Sequence, residues 1–213
     1  MQLIIHRYIP ETKVEGPGKR FCLWVQGCSI RCEGCGVPWT WSKENGNTIE
    51  VSELFHEIEK SKRKNGIEGV TFLGGEPFDQ AEALGELAEK VKKIGLTIMT
   101  FSGYHYEDLR EQEKCQKLLE SADLLIDGPF VKDKLDLSRP WVGSSNQRYH
   151  FLTPAYKHLE DQLSSIENKV EIRIGSDGLV SVNGMATQQT LEELFNRDDF
   201  KAIKASDAKE GPE

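Results

Sequence analysis

A chain of 213 residues with net charge −8 and 38% hydrophobic residues is long enough for one domain with a real core, and its acidic balance argues against binding phosphate backbones. No apolar run approaches the length of a membrane span, and Met1 to Arg7 lack the ordered regions of a signal peptide, so a cytoplasmic protein without a membrane anchor is expected. Five cysteines, an odd number in a chain without a secretion signal, argue against a disulfide scaffold.

In chain order, Glu15-Gly16-Pro17-Gly18-Lys19-Arg20 reads as a turn, and Phe21 to Gln26 as a strand running into a cysteine loop. Thr48 to Asn65 reads as a helix with Leu54, Phe55 and Ile58 on its apolar stripe and Gly66 as its stop. Lys60, Lys62, Arg63 and Lys64 complement the dipole at its end. Val70 to Leu73 is a short buried strand ending in Gly74-Gly75. Ala81 to Ile94 is a second amphipathic helix, Leu96 to Phe101 a third strand, and a helical region follows with Leu109, Leu118 and Leu119 as core positions. Leu124 to Ile126 is a fourth strand, ending at Asp127-Gly128.

Strands alternating with helices imply βα units and a parallel sheet. The unusual residues all fall at strand C-termini, where active sites of such folds gather. Beyond Thr153 the pattern changes. Val170 to Ile174 and Leu179 to Val182 flank the hairpin signal Gly175-Ser176-Asp177-Gly178, and a short helix is expected over Thr187 to Asn196. This divides the chain into a core over 1–152, a hairpin and helix extension over 153–203, and a tail over 204–213 too poor in apolar residues to pack. The hairpin is expected to cover a sheet edge.

Cys28, Cys32 and Cys35 have the spacing C-x3-C-x2-C. On a helix they would share one face, but Gly27, Gly34, Gly36 and Pro38 oppose a helix here and favour a metal-binding loop. A structural zinc site wants four ligands, and no fourth cysteine or histidine stands at short spacing. Cys22 lies on the preceding strand, and Cys115 in a charged helical context that suggests a solvent-facing or partly buried thiol. Closely spaced thiolates also suit iron–sulfur clusters, and three of them on a [4Fe–4S] cubane leave one iron open.

Glu76, after Gly74-Gly75 and before Pro77, offers an acceptor for an ammonium group, although a plain strand-to-helix turn is the simpler reading of that tetrapeptide alone. Together with the cysteines it resembles the GGE and cysteine motifs of the radical SAM superfamily. Gly16-Pro17-Gly18-Lys19-Arg20, Gln26-Gly27-Cys28, Thr40-Trp41, the run Leu125 to Val131 and the run Trp141 to Arg148 narrow the resemblance to the activating proteins of anaerobic (class III) ribonucleotide reductase. It spans roughly Ile5 to Leu152.

That resemblance implies a partial (β/α) barrel, in the α/β class, carrying a [4Fe–4S] cluster on Cys28, Cys32 and Cys35. It implies S-adenosylmethionine held by Gly34, Gly36, Gly74, Gly75, Glu76, Pro77, Ser102 and Asp127. It also implies reductive cleavage of that cofactor, hydrogen abstraction from a glycine of the reductase or another glycyl radical protein, and a flavodoxin-like electron donor. Three features depart from the pattern. Glu15 stands where Asp or Asn is usual, Gly36-Val37 where an aromatic or His and then Asn follow the third cysteine, and the last sixty residues have no counterpart. The alternatives are a radical enzyme of the 7-carboxy-7-deazaguanine synthase kind or one acting on a peptide and, outside enzymes, a metal-binding or electron-transfer module.

Overall fold

The structure, a computed structural model, describes residues 1–176 and 178–195. Asp177, Asn196 and the tail expected over 204–213 lie outside the described residues. Seven strands form one sheet in the order β3-β1-β2-β4-β5-β6-β7. Its centre is β2 (Arg20–Val25), β4 (Gly69–Gly74), β5 (Thr97–Phe101) and β6 (Leu124–Asp127), all parallel. Antiparallel pairings add β1 (Gln2–Thr12) and β3 (Asn47–Glu50) on one side and β7 (Arg148–Phe151) on the other. The fold is therefore mixed α/β with a parallel central sheet.

Alternation along the central strands sorts side chains between two faces. Phe21, Leu23, Val25, Val70, Phe72, Ile98 and Leu125 face a core closed by α1 (Val51–Asn65), α2 (Ala81–Lys93) and α4 (Glu113–Ser121). Leu54 and Ile58 of α1 are fully buried there, and Gly66 ends the helix in the left-handed region at φ 64°. α3 (Tyr106–Arg110) precedes α4. Met99, Leu124 and Ile126 point to the opposite face, under Trp141, Val142 and Tyr156. Cys22 and Trp24 share that face with Ile9.

Two expectations need correction. Asn47 to Glu50 pair with β1 as an edge strand, so the helix begins at Val51 rather than Thr48. Cys115 is fully buried in the main core, because its α4 stripe continues through Leu118 and Leu119.

Arg20 is completely buried at the start of β2. Its guanidinium donates to Thr71 Oγ1 (2.6 Å), the Val70 carbonyl (2.6 Å), Tyr156 (2.5 Å) and the Pro17 carbonyl (3.2 Å). The charge is thus hydrogen-bonded by neutral acceptors from three segments, which meets the requirement for burying it.

The extension forms a separate hairpin, β8 (Val170–Ile174) and β9 (Val180–Gly184), followed by α5 (Gln188–Phe195). Among the described residues it adds no strand to the large sheet. Polar side chains dock it instead: Glu171 on Thr12, Asn183 Nδ2 on Thr12 Oγ1 (3.1 Å), and the Gly184 N–H on Glu15 Oε1 (2.8 Å). Glu15 is buried, and burial pushes its carboxyl up. Among the described residues no helix is long and apolar enough to cross a membrane.

Candidate metal and cofactor site

Because β2, β4, β5 and β6 are parallel, their C-termini present four loops along one edge of the sheet. The loop after β2 carries the cysteines. It is not helical, and Gly27, Arg31 and Gly34 all take positive φ. The chain after the cysteines returns to brace it. Gly27 N–H donates to the Thr40 carbonyl (2.7 Å) and Cys28 N–H to the Trp41 carbonyl (3.1 Å), while the buried Gln26 amide reaches the Trp39 and Ser42 carbonyls.

Cys28, Cys32 and Cys35 are unpaired thiols of intermediate exposure. Backbone N–H groups point at their sulfurs: those of Arg31 and Ile30 at Cys28, that of Phe130 at Cys32, and that of Val37 at Cys35 (3.4 Å). Burial pushes the Cys28 and Cys32 thiols up, so they stay protonated until a metal displaces the proton. Cys22 and Cys115 are committed to apolar clusters away from this loop. The donor set is therefore three sulfurs ringed by amide donors, which suits an anionic cluster. Among the described residues no three His, Cys, Asp or Glu side chains converge on one metal ion. A structural zinc takes four ligands, whereas a cubane gives each thiolate its own iron.

The turn after β4 lies directly on the cysteine loop. Gly75 N–H donates to the Val25 carbonyl (2.8 Å) and Glu76 N–H to the Gly27 carbonyl (2.9 Å). A Cβ on Gly75 would strike the Gly27 carbonyl oxygen, and one on Gly74, at φ 103°, would sit 2.8 Å from Val25 N. Only glycines allow this approach.

Glu76 is 2% exposed. Its Oε1 accepts from Phe78 N–H (2.9 Å) and the Ser102 hydroxyl (3.0 Å), and its Oε2 from Gly103 N–H (2.8 Å). Burial pushes the carboxyl up to about 7 against the pull of those donors. Pro77, also buried, opens a short 3-10 turn over Pro77–Gln80.

The structure brings Gly74, Gly75, Glu76, Pro77 and Ser102 together beside the cysteines. Gly34 packs near Phe130 and Lys132, and Gly36 is exposed with open space around it. Asp127 stands apart. It is fully buried and accepts from Tyr106 N–H (2.6 Å) and Arg148 Nε (3.0 Å), with His150 Nε2 at 3.1 Å. Although burial opposes ionisation, His150, Arg148 and the Tyr106 amide hold its carboxyl well below the usual carboxylate range. Its oxygens tie β6 to β7 and α3. Two polar side chains went unnoticed in the sequence, Ser29 and Asp79; they meet Tyr104, of the Ser102-Gly103-Tyr104 strand end, at the mouth of the site.

Comparison with known proteins fits this geometry. A family model for the 4Fe-4S single cluster domain matches residues 14–150, and the chain belongs to that class of iron–sulfur proteins. The chain is 33% identical over 155 residues to the anaerobic ribonucleoside-triphosphate reductase-activating protein of Vibrio cholerae, covering 70% of this chain and 97% of the relative. Its counterpart from phage T4 is 34% identical over 146 residues (67% and 90%), and that of Escherichia coli K12 is 30% identical over 155 (69% and 97%). At this identity and coverage the chain is a member of the reductase-activating protein family. The solved structure of QueE from Escherichia coli aligns with 48% of this chain and 53% of its own at 20% identity and TM-score 0.42, too weak a likeness to carry an argument.

Proposed function

We propose that this chain is a radical SAM activase that installs a glycyl radical on an anaerobic ribonucleoside-triphosphate reductase. The observation that carries the reading is the backbone seam between the Gly74-Gly75-Glu76 turn and the cysteine loop, closed by the Glu76 N–H to Gly27 carbonyl bond (2.9 Å). It sets a buried carboxylate beside a three-thiol loop, the pair of features needed for a metal site with an open position and an anchor for an amine.

Cys28, Cys32 and Cys35 would hold three irons of a [4Fe–4S] cluster and leave the fourth open to S-adenosylmethionine. When reduced, that assembly would supply the radical chemistry for hydrogen abstraction. The protein's own part is binding and placement. The Glu76 carboxylate would accept an N–H of the cofactor's amino group. Ser102 and the Gly103 amide hold Glu76 at the fixed height that this requires. Gly74, Gly75 and Pro77 keep the turn low enough for close approach, while Gly36 leaves the loop surface clear and Gly34 lets Phe130 and Lys132 pack close to the loop. Asp127 supports the site from beneath by anchoring β6 and β7.

The sheet with these loops along one edge is the partial barrel of such enzymes, with 1–152 as the catalytic core and 153–203 as an extension docked through Glu15 and Thr12. A flavodoxin-like cytoplasmic donor supplies the electron. The reading is tested by anaerobic reconstitution with iron and sulfide, reduction with dithionite and addition of S-adenosylmethionine. It predicts a brown protein that forms 5′-deoxyadenosine; a colourless protein that binds one zinc and forms none would overturn it.

A further inference from the structure

Asp79 lies three residues beyond Glu76, in the turn Pro77–Gln80, and its carboxylate joins three loops. Oδ2 accepts the Ser29 amide N–H (2.8 Å), and Oδ1 accepts the Ser29 hydroxyl (2.9 Å) and the Tyr104 hydroxyl (3.0 Å). Ser29 Oγ and the Tyr104 oxygen are themselves 2.6 Å apart. Two hydroxyl protons thus serve three short oxygen–oxygen contacts, a closed triangle in which one of the two hydroxyls shares its proton between the other two groups.

Each corner of the triangle comes from a different cofactor loop. Ser29 follows the first cysteine, Asp79 follows the Gly-Gly-Glu turn, and Tyr104 follows Ser102-Gly103. The bonds bridge 50 and 25 residues of sequence from Asp79. The network lies at the mouth of the site, above the buried one centred on Glu76, and Ser29 is exposed. An exposed network of this kind contributes little to global stability. Its effect is local: it clamps the cysteine loop at Ser29, one residue from a ligand. Bonds to the Ser29 amide and hydroxyl place the Asp79 carboxylate next to the residue that follows the Cys28 ligand.

We infer that Asp79 is a positioning residue, which with Ser29 and Tyr104 clamps the cysteine loop onto the cofactor-binding turn and sets the electrostatic environment of the cluster. The inference rests on the function proposed above. Hydrogen-bond partners behind metal ligands change affinity or activity by about 10–100-fold when removed. Reduction adds an electron to the cluster, so a nearby carboxylate disfavours it and loss of that charge raises the potential. Asp79→Asn keeps the size of the side chain but offers one acceptor oxygen in place of two, so its NH2 group must face either the Ser29 N–H or the two hydroxyls, which loosens the clamp.

The test compares wild type with Asp79→Asn, Ser29→Ala and Ser29→Thr as anaerobically reconstituted proteins. All are expected to hold the same iron and sulfide. Asp79→Asn should move the cluster midpoint potential upward in an EPR-monitored titration. Asp79→Asn and Ser29→Ala should raise the KM for S-adenosylmethionine about tenfold or more, and Ser29→Thr, which keeps both donors, should restore it. In the metal-free proteins, hydrogen exchange at the Ser29 amide should lose protection in Asp79→Asn while β4 and β5 keep theirs. A wild-type potential and KM in Asp79→Asn would overturn the inference, and so would loss of protection spread across the core strands, which marks a global structural role. Wild type that forms neither cluster nor 5′-deoxyadenosine defeats the proposed function instead, and the Ser29 exchange measurement then judges the clamp alone.

Discussion

Gly75 and Gly27 meet backbone to backbone, so closely that a Cβ on Gly75 would strike the Gly27 carbonyl oxygen. The neighbouring Glu76 N–H bonds that same carbonyl. The seam is therefore a steric requirement as well as a hydrogen bond. Gly75→Ala is expected to push the turn off the cysteine loop at a cost of about 1–3 kcal/mol in the metal-free protein. Its affinity for S-adenosylmethionine should fall by more than its stability suggests. Denaturant unfolding and equilibrium binding check the two effects; wild-type affinity in this variant would show that the seam does not shape the site.

The five cysteines should divide by position. Replacing Cys28, Cys32 or Cys35 with Ala is expected to abolish the cluster, measured as iron and sulfide per chain. Cys22→Ala and Cys115→Ala empty buried positions and should cost about 1–2 kcal/mol each while iron content stays at the wild-type level. Iron loss in either of these would mean a fourth protein ligand and a closed cluster.

Glu76 predicts a pH dependence with a definite sign. Burial raises its folded value to about 7 from 4.5, so the folded state favours the protonated carboxyl. A raised value contributes stability that is fully present below pH 4.5 and is lost as pH rises to about 7. Metal-free wild type should therefore gain on Glu76→Gln between pH 8 and pH 5, by up to about 3 kcal/mol. An N–H donor is best received by the ionised carboxylate, so the affinity for S-adenosylmethionine should fall below pH 7 and binding near pH 6.5 should release a proton from Glu76. Calorimetry in buffers of different ionisation enthalpy reads that release; parallel stability curves for the two proteins would contradict the assignment.

Asp127 should behave in the opposite way. Its carboxyl is held low, so its contribution is present above the ordinary value of 3.8 and is lost as pH falls below it. Asp127→Ala leaves His150 without its partner and Arg148 with Glu107 alone. It should cost about 2–3 kcal/mol, less than for a wholly buried pair because Arg148 is partly exposed. Reconstituted Asp127→Ala should keep its iron. A direct role in holding the cofactor would instead appear as a loss of S-adenosylmethionine binding at unchanged stability.

The four central strands were legible because each is a short apolar run closed by glycine or a polar turn. β3 was absorbed into the following helix, since Thr48 to Glu50 become a strand only by pairing with β1. β7 is four residues long, and its place is set by Arg148 and His150 reaching Asp127, a pairing across 21 residues that no local pattern announces. Cys115 looked exposed because Glu113, Lys114, Gln116 and Lys117 surround it in sequence, although all of them turn away from its buried stripe. At the site, the cysteines and Gly74-Gly75-Glu76 declare themselves by spacing. Asp79 does not, because its importance lies in three loops that meet only in the folded chain. Glu15 is the converse case: a visible departure from the family pattern that the Gly184 amide of the added hairpin explains.

The most direct measurement is anaerobic incubation of the reduced, reconstituted protein with S-adenosylmethionine and an anaerobic ribonucleoside-triphosphate reductase, followed by EPR. The account predicts a glycyl radical signal on the reductase, matched by an equivalent of 5′-deoxyadenosine and lost in Cys32→Ala. Formation of 5′-deoxyadenosine with no radical on the reductase would contradict it.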